Sequence, residues 1–340
     1  MHLSLRATMA ANHGLITRPQ LMDAGVSSLK IQALVRTRAL VVLRRGVYVD
    51  GELWTSLADE RDRHCLRVRA ATLHMKRDFA LSHDSSAYMQ RLEILQPPFP
   101  LVHVTRFGVT DAWTRFGIKH HLAPFRPDQV LEIDGQKMLD LARTAVDIAR
   151  EHGEPYGEIA CDAALRRGVP RRDLEDAVQA MICWPHVVRT RRAVSFADPG
   201  AANLAETMGR MLVAELNLGE IESQFPVELT DGRVAWGDIR VGPHLFEIDG
   251  KVKYTPVEEG GVATRSPTEV VWQEKKRERL IRQEGLGVSR IVYADFWPPQ
   301  RASALVRLRE EYDDSVARFG PDLPEHLVRN AARLRELRPA

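Results

Sequence analysis

Cysteine is scarce in this 340-residue chain: Cys65, Cys161 and Cys183 lie far apart and form no Cys-x-x-Cys pair. An odd, scattered set excludes a disulfide scaffold and a cysteine-based zinc finger, and it suits a reducing, cytoplasmic compartment. Long apolar runs are missing too. Stretches such as Ala39–Leu43 fall far short of the roughly 18 residues a membrane span needs. Met1-His2-Leu3-Ser4-Leu5-Arg6 reaches Asn12-His13 without the apolar stretch of about 7–15 residues that marks a secretory signal. What is there is ordinary for globular protein, with 44% apolar and 28% charged residues. The length suits roughly two to three domains of about 100–200 residues each.

The net charge of +2 says little, whereas its distribution says more. Residues 1–50 hold seven Lys/Arg against two Asp, and residues 166–192 hold seven Arg against three acids. Such clusters on folded elements suit a polyanion, usually nucleic acid, although a solvated arginine-rich surface reads the same way.

In residues 1–52, Leu3, Leu5 and Met9 keep helical spacing up to Gly14. Thr17-Arg18-Pro19 opens a second helix that closes at Gly25. Ser27 or Ser28 caps a third, with Leu29, Ala33 and Leu34 as its apolar stripe. Ala39–Leu43 and Val47–Val49 flank Arg44-Arg45-Gly46 as a hairpin. Helix, helix, helix, hairpin is the order of a winged helix-turn-helix. Its third helix would offer Ser28, Lys30, Gln32 and Arg36 to a major groove, and Arg44 and Arg45 would ride the wing toward phosphates.

The middle block reads as helices over 57–76, 137–150, 156–167 and 171–182, with extended runs near 100–106 and 116–122. Ser82-His83-Asp84-Ser85 has the letters of a hydrolytic triad. Triad members come from separated elements, so no catalysis is assigned there. His120 and His121, on an alternating strand, point to opposite faces and cannot chelate one metal together.

The third block opens with Asn203-Leu204-Ala205-Glu206, an N-cap with an acid three residues on. Strands are expected over Gln224–Leu229, Val234–Val241 and Leu245–Asp249, then a polar loop at Thr255–Arg265 beside the acidic cluster. A helix opens at Ser266-Pro267, a strand spans Ser289–Phe296, and a last helix covers about 300–318. Alternation sets Glu247 and Asp249 on one face, and Asp238 shares a face with Trp236. A hairpin folded about Gly242-Pro243 puts Asp238 opposite Glu247, where Cβ atoms lie about 4.5–5.5 Å apart and like charges destabilise. A hard divalent cation would relieve that repulsion. With Asp249-Gly250-Lys251 alongside, the layout suits metal-activated water and charge stabilisation on a phosphate.

On these residues the C-terminal block resembles the very-short-patch-repair-type branch of the PD-(D/E)xK restriction-endonuclease-like superfamily. The matching residues are Glu206, Gln224-Phe225-Pro226-Val227, Asp238, Glu247-Ile248-Asp249-Gly250, the basic helix Gln273–Arg282 and Arg290-Ile291-Val292-Tyr293. The N-terminal block is similar to the winged-helix domain of AbiEi-type antitoxins of type IV toxin–antitoxin systems, through Gly14-Leu15-Ile16-Thr17-Arg18, Leu21, Ala24-Gly25 and Arg45-Gly46-Val47-Tyr48. Ser82–Ala87 and Asp162–Gly168 resemble the middle of the same fused proteins. The C-terminal block departs from the pattern of the family it resembles in two stretches: Lys251, Lys253 and Tyr254 stand in place of a histidine, and Gln273-Glu274-Lys275-Lys276-Arg277 stands in place of an acidic residue followed by arginines.

The resemblance implies an α+β multidomain fold. It has a winged helix-turn-helix over 1–52, a mixed α/β middle domain over 53–198, a restriction-endonuclease-like α/β domain over 199–320 and a tail at 321–340. Asp238 and Glu247 would ligate Mg²⁺ or Mn²⁺, and Asp249 and Glu206 would complete or orient the site. Lys251 is the expected basic partner, with Lys275 or neither lysine as the alternatives, and Glu206 also fits as a plain helix cap. The expected function is a DNA-binding protein with a divalent-metal-dependent phosphodiesterase domain, in phage defence or a toxin–antitoxin locus. The alternative is a non-catalytic antitoxin or repressor, and a third reading acts on RNA. DNA and a cognate toxin are the expected partners, a membrane is not, and an oligomer stays open.

Overall fold

The computed structural model describes residues 3–76, 78–106, 111–249 and 267–337. The fold is α+β with several sheets, in two compact units: Met1–Ala164 with Gly168–Ser195, and Leu165–Arg167 with Phe196–Ala340.

The first unit begins with α1 (Leu3–Ala11), β1 (Leu15–Thr17), α2 (Arg18–Asp23), α3 (Ser28–Arg36), β2 (Leu40–Arg44) and β3 (Val47–Asp50). The expected three helices and hairpin are present, and β1 adds a strand, giving a sheet ordered β1-β3-β2. Local chemistry sets the boundaries. Thr17 and Gln20 form a capping box on α2, and Ser27 caps α3 by accepting from the Lys30 N–H at 3.3 Å. Gly46, at φ 78, takes the left-handed position of the hairpin turn. The buried stripe of α3 differs from the expected Leu29, Ala33 and Leu34. Ile31 is buried with Leu34 and Val35 beside it, while Leu29 is 78% exposed. Two residues turn a helix by about 200°, so Leu29 and Ile31 face opposite ways.

Next come α4 (Gly51–Ser56) and α5 (Glu60–Thr72). Leu66 and Ala70 of α5 share a core with Leu15, Val47 and Val49, so packing runs across residue 52 within one unit. There follow β4 (Ala80–Leu81), α6 (His83–Met89), β5 (Val102–Thr105), β6 (Trp113–Arg115), β7 (Ile118–His121), β8 (Val130–Ile133) and β9 (Gln136–Leu139). These strands form one sheet, β6-β7-β5-β4-β9-β8. Helices α7 (Leu141–His152), α8 (Tyr156–Arg166), α9 (Arg171–Gln179) and α10 (Val187–Phe196) complete the segment. Residues 137–139, expected as helix, are strand because Asp140 caps α7, accepting from the Arg143 N–H at 2.7 Å. The two-residue β4 lies mid-sheet and runs into α6, which is buried from His83 to Tyr88.

The second unit holds α11 (Leu204–Glu215), β10 (Glu222–Glu228), β11 (Val234–Val241), β12 (His244–Asp249), α12 (Pro267–Gln283), β13 (Gly287–Val292), α13 (Gln300–Phe319) and α14 (Glu325–Glu336). Its sheet is β10-β11-β12-β13, with β13 parallel to β12. Gly242, at φ 51, fills the first turn position of the β11–β12 hairpin, where a primed turn requires positive φ. Gly209 lets α11 lie close on β12, since a Cβ there would overlap Ile248. Two expectations change. The strand expected to reach Phe296 stops at Val292, and Tyr293–Phe296 is a 3-10 turn whose Asp295 accepts from the Val292 N–H at 3.0 Å. The expected tail contains α14, because Leu327 and Ala331, four apart, bury themselves against Phe225 and Val227. Lys251 and the loop expected at Thr255–Arg265 lie outside the described residues.

His244 pins this core. It is buried between the hydroxyls of Ser315 on α13 and Ser289 on β13, each at 2.7 Å. Burial, with Arg282 nearby, pushes its pKa down to about 4. Facing charges are Arg282 and, through Ser289, Glu311. The unfolded ring takes up a proton near pH 6.5 that the folded ring refuses until about pH 4. Its share of stability is therefore present above about pH 6.5 and lost as pH falls to about 4, at most about 3 kcal/mol. Melting temperature should fall across that window, and less steeply in His244→Gln. An unchanged slope in the variant would assign the fall to other groups.

Candidate functional site

The helix and wing come first. Lys30, Gln32 and Arg36 on α3 are exposed, as is Arg45, while Ser28 and Arg44 are half-buried. Gln32 and Arg36 are one turn apart, with exposed Leu29 beside them and Ser28 and Lys30 on the flanks. The Ser28 hydroxyl accepts from Arg18 Nη2 at 2.8 Å. This surface is a row of side chains able to contact base edges, next to cations at a glycine turn.

The acidic face lies in the second unit. Pairing of β11 with β12 has the expected register, Val241↔His244 through Ile239↔Phe246, and it ends one residue short of Asp238. Asp238 turns instead to the neighbouring backbone, its Oδ2 accepting from the Ile248 N–H at 2.7 Å. Glu247 is met by an arginine to which the sequence alone assigns no role. Arg277 on α12 donates from Nη1 to Glu247 Oε2 at 2.9 Å and from Nη2 to Oε1 at 3.0 Å. Its Nη2 also donates to the Trp236 carbonyl at 2.6 Å. Two parallel bonds from a planar guanidinium are the strong form of carboxylate recognition. Asp249 has Arg290 Nη1 at 4.0 Å, and Arg290 also pairs with Glu274 at 2.9 Å. Glu206 is buried and accepts from the Ala202 N–H at 2.7 Å, Asn203 Nδ2 at 2.9 Å and Gln224 Nε2 at 2.9 Å. Its contacts include the start of its own helix, and they tie α11 to β10. Lys275 is exposed.

A hard divalent cation needs carboxylate oxygens turned toward it. Arg277 holds both oxygens of Glu247, and Asp238 gives one of its own to a backbone donor. Among the described residues, Asp238, Glu247 and Asp249 do not form a three-ligand group with its ligand atoms within 4.8 Å. In this arrangement the acidic face does not fit Mg²⁺ or Mn²⁺.

A polar cluster unassigned from sequence lies in the first unit. Asp84 at the start of α6 is 1% exposed, and His152 Nε2 at the end of α7 lies 3.0 and 2.9 Å from its oxygens. His103 Nε2 is 3.4 Å from Asp84 Oδ2. Burial opposes ionisation of Asp84, but the His152 hydrogen bond and the imidazoles of His103 and His64 outweigh it, holding the carboxyl below its usual range. Strands β5 and β7 pair in parallel with Thr105 opposite His121, so His103 and His121 share a sheet face. His120 faces the other way and stacks on Trp113 at 4.5 Å between ring centroids. His83, His103, Asp84 and His121 thus come from three elements within about forty residues of sequence. The legible signal was a Ser-His-Asp run between a strand and a helix. What the sequence does not disclose is the pairing that brings the other rings to it.

Removing Arg277 would take away the guanidinium that neutralises Glu247 beside two other acids. Arg277→Ala should cost about 1–3 kcal/mol in denaturant unfolding. Adding Glu247→Ala should recover part of that loss, and a double-mutant cycle with zero coupling would show that the pair contributes nothing.

No family model matches the chain. Part of it is similar to two curated proteins of Mycobacterium tuberculosis: uncharacterized protein MT2308 of strain CDC 1551 / Oshkosh and uncharacterized protein Rv2248 of strain ATCC 25618 / H37Rv. Each is 28% identical over 123 residues, 34% of this chain and 45% of the relative, so the match spans less than half of either protein.

Proposed function

We propose that this protein binds duplex DNA through α3 and the β2–β3 turn, and that its second unit is a nuclease-like fold in which Arg277 stands where a metal would be needed. The observation that carries the reading is the division of α3. Ile31 is buried while Lys30, Gln32 and Arg36 are exposed on the same nine residues, beside a turn bearing Arg44 and Arg45. Gln and Arg are the side chains that read adenine and guanine edges bidentately, and exposed Leu29 suits a thymine methyl. In this reading the chain is a repressor or antitoxin of a phage-defence or toxin–antitoxin locus, with DNA and a cognate toxin as partners.

A second reading keeps the metal-dependent phosphodiesterase. It is favoured by the hairpin register, which continued one step would set Asp238 opposite Glu247, and by Asp249 two residues farther along β12.

Two measurements test these readings. In a salt series with the full chain and random-sequence duplex, Arg44→Ala/Arg45→Ala should flatten the dependence of log K on log salt, by about 0.9 for each phosphate that these arginines neutralise. An equal slope would remove the wing from the interface. With Mg²⁺ or Mn²⁺ added, the wild type should show neither a melting shift nor cleavage of supercoiled DNA. Cleavage that Glu247→Ala abolishes would establish the phosphodiesterase instead.

A further inference from the structure

We propose that His83, His103 and His121 form a binding site for a divalent transition-metal ion of the zinc type. The three rings come from α6, β5 and β7, and they are 0%, 2% and 3% exposed. One ring nitrogen of each lies within 4.8 Å of the others. The shortest approach is His103 Nδ1 to His121 Nε2, at 2.9 Å. Nitrogens sharing a tetrahedral zinc at about 2.0–2.1 Å stand about 3.3 Å apart, so the His103–His121 pair is already near ligand spacing, and a common ion with His83 requires a ring rotation.

The outward-facing nitrogens strengthen the assignment. His83 Nδ1 lies 2.9 Å from the Ser82 hydroxyl, and that hydroxyl accepts from Thr105 Oγ1 at 2.8 Å. His103 Nε2 faces Asp84 at 3.4 Å. Metal-bound histidines characteristically have the other ring nitrogen held by a carboxylate or another fixed polar group, which sets tautomer and orientation. With Nδ1 engaged, His83 Nε2 is left buried, with no hydrogen-bond partner among the described residues. A buried, unpaired imidazole nitrogen destabilises the fold unless something fills its lone pair. His83 also sits at φ 50, a backbone conformation that needs support from its surroundings.

The donor set selects the ion. Three imidazole nitrogens suit zinc and its neighbours, whereas magnesium and calcium take oxygen. Burial pushes the pKa of each ring down, which keeps it in the neutral form that binds metal. In the structure His83 stacks on His121 at 3.8 Å between centroids and 15° between planes. A ligated metal lies in the plane of each imidazole, so loading turns one of these rings out of the stack. The ion would then tie the start of α6 to the β5–β7 pair.

The test uses the full chain, purified without chelator. Elemental analysis should find zinc in equimolar amount. After removal and reconstitution with Co²⁺, visible absorption bands of a histidine-ligated ion should appear, and Zn²⁺ should raise the melting temperature of the stripped protein. His103→Gln and His121→Gln should lose the ion and the bands, and Asp84→Asn should weaken binding by about 10–100-fold. His120→Ala, on the opposite sheet face, should keep all three signals. If the ligand variants do not fold, the wild-type titration decides alone. Wild type with neither zinc, cobalt bands nor a melting shift overturns the site, and an ion retained in folded His103→Gln and His121→Gln overturns it equally.

Discussion

A carboxylate withdrawn wholly or partly from water must be met by donors or by positive charge, and in each unit such a carboxylate stands at a point where several elements converge. In the first unit it is Asp84, buried where β4 hands the chain to α6. Meeting it requires His152 from the end of α7 and His103 from the middle of β5, so those elements must approach the start of α6 from different sides. In the second unit it is Glu247, met by Arg277 from α12, which also bonds the Trp236 carbonyl on the adjacent strand. Helix-on-sheet packing is thereby keyed by polar groups as well as by apolar contact. Glu206 does similar work on a smaller scale, holding the start of α11 to Gln224 on β10.

The two solutions differ chemically. A guanidinium is permanently charged, has five donors and carries no lone pair, so Arg277 neutralises Glu247 and offers nothing further. An imidazole kept neutral by burial retains a nitrogen lone pair after one hydrogen bond is made. Asp84 is met by imidazoles, which carry charge only when protonated, and Glu247 by a permanent cation. The acidic letters of the chain draw attention to the second unit, yet the buried imidazole nitrogens without a hydrogen-bond partner among the described residues, His83 Nε2 among them, are in the first.

The helix-and-wing surface rests on a simpler division of labour. Ile31, Leu21 and Tyr48 belong to one small core, which fixes which side of α3 is turned outward. Lys30, Gln32 and Arg36 are outward because Ile31 is inward. The shared packing of Leu15, Val47 and Val49 with α5 then supports the sheet that carries the wing.

By itself the sequence determined what is local. The helix caps at Thr17 and Asn203, the glycine turn at Gly46, and the hairpin register about Gly242-Pro243 all follow from residues within a few positions of one another. Period-two alternation likewise separates His120 from His121 without any tertiary information. Tertiary structure alone decided the rest. That Glu247 meets Arg277 thirty residues on, that Asp238 turns to the Ile248 N–H, and that Leu327 and Ala331 fold a C-terminal helix onto β10 are consequences of long-range packing. The same holds for His83, His103 and His121, which no spacing joins. Their meeting depends on the strand order β7-β5-β4, because hydrogen-bonded pairing between distant segments, and not proximity in sequence, decides which side chains share a face.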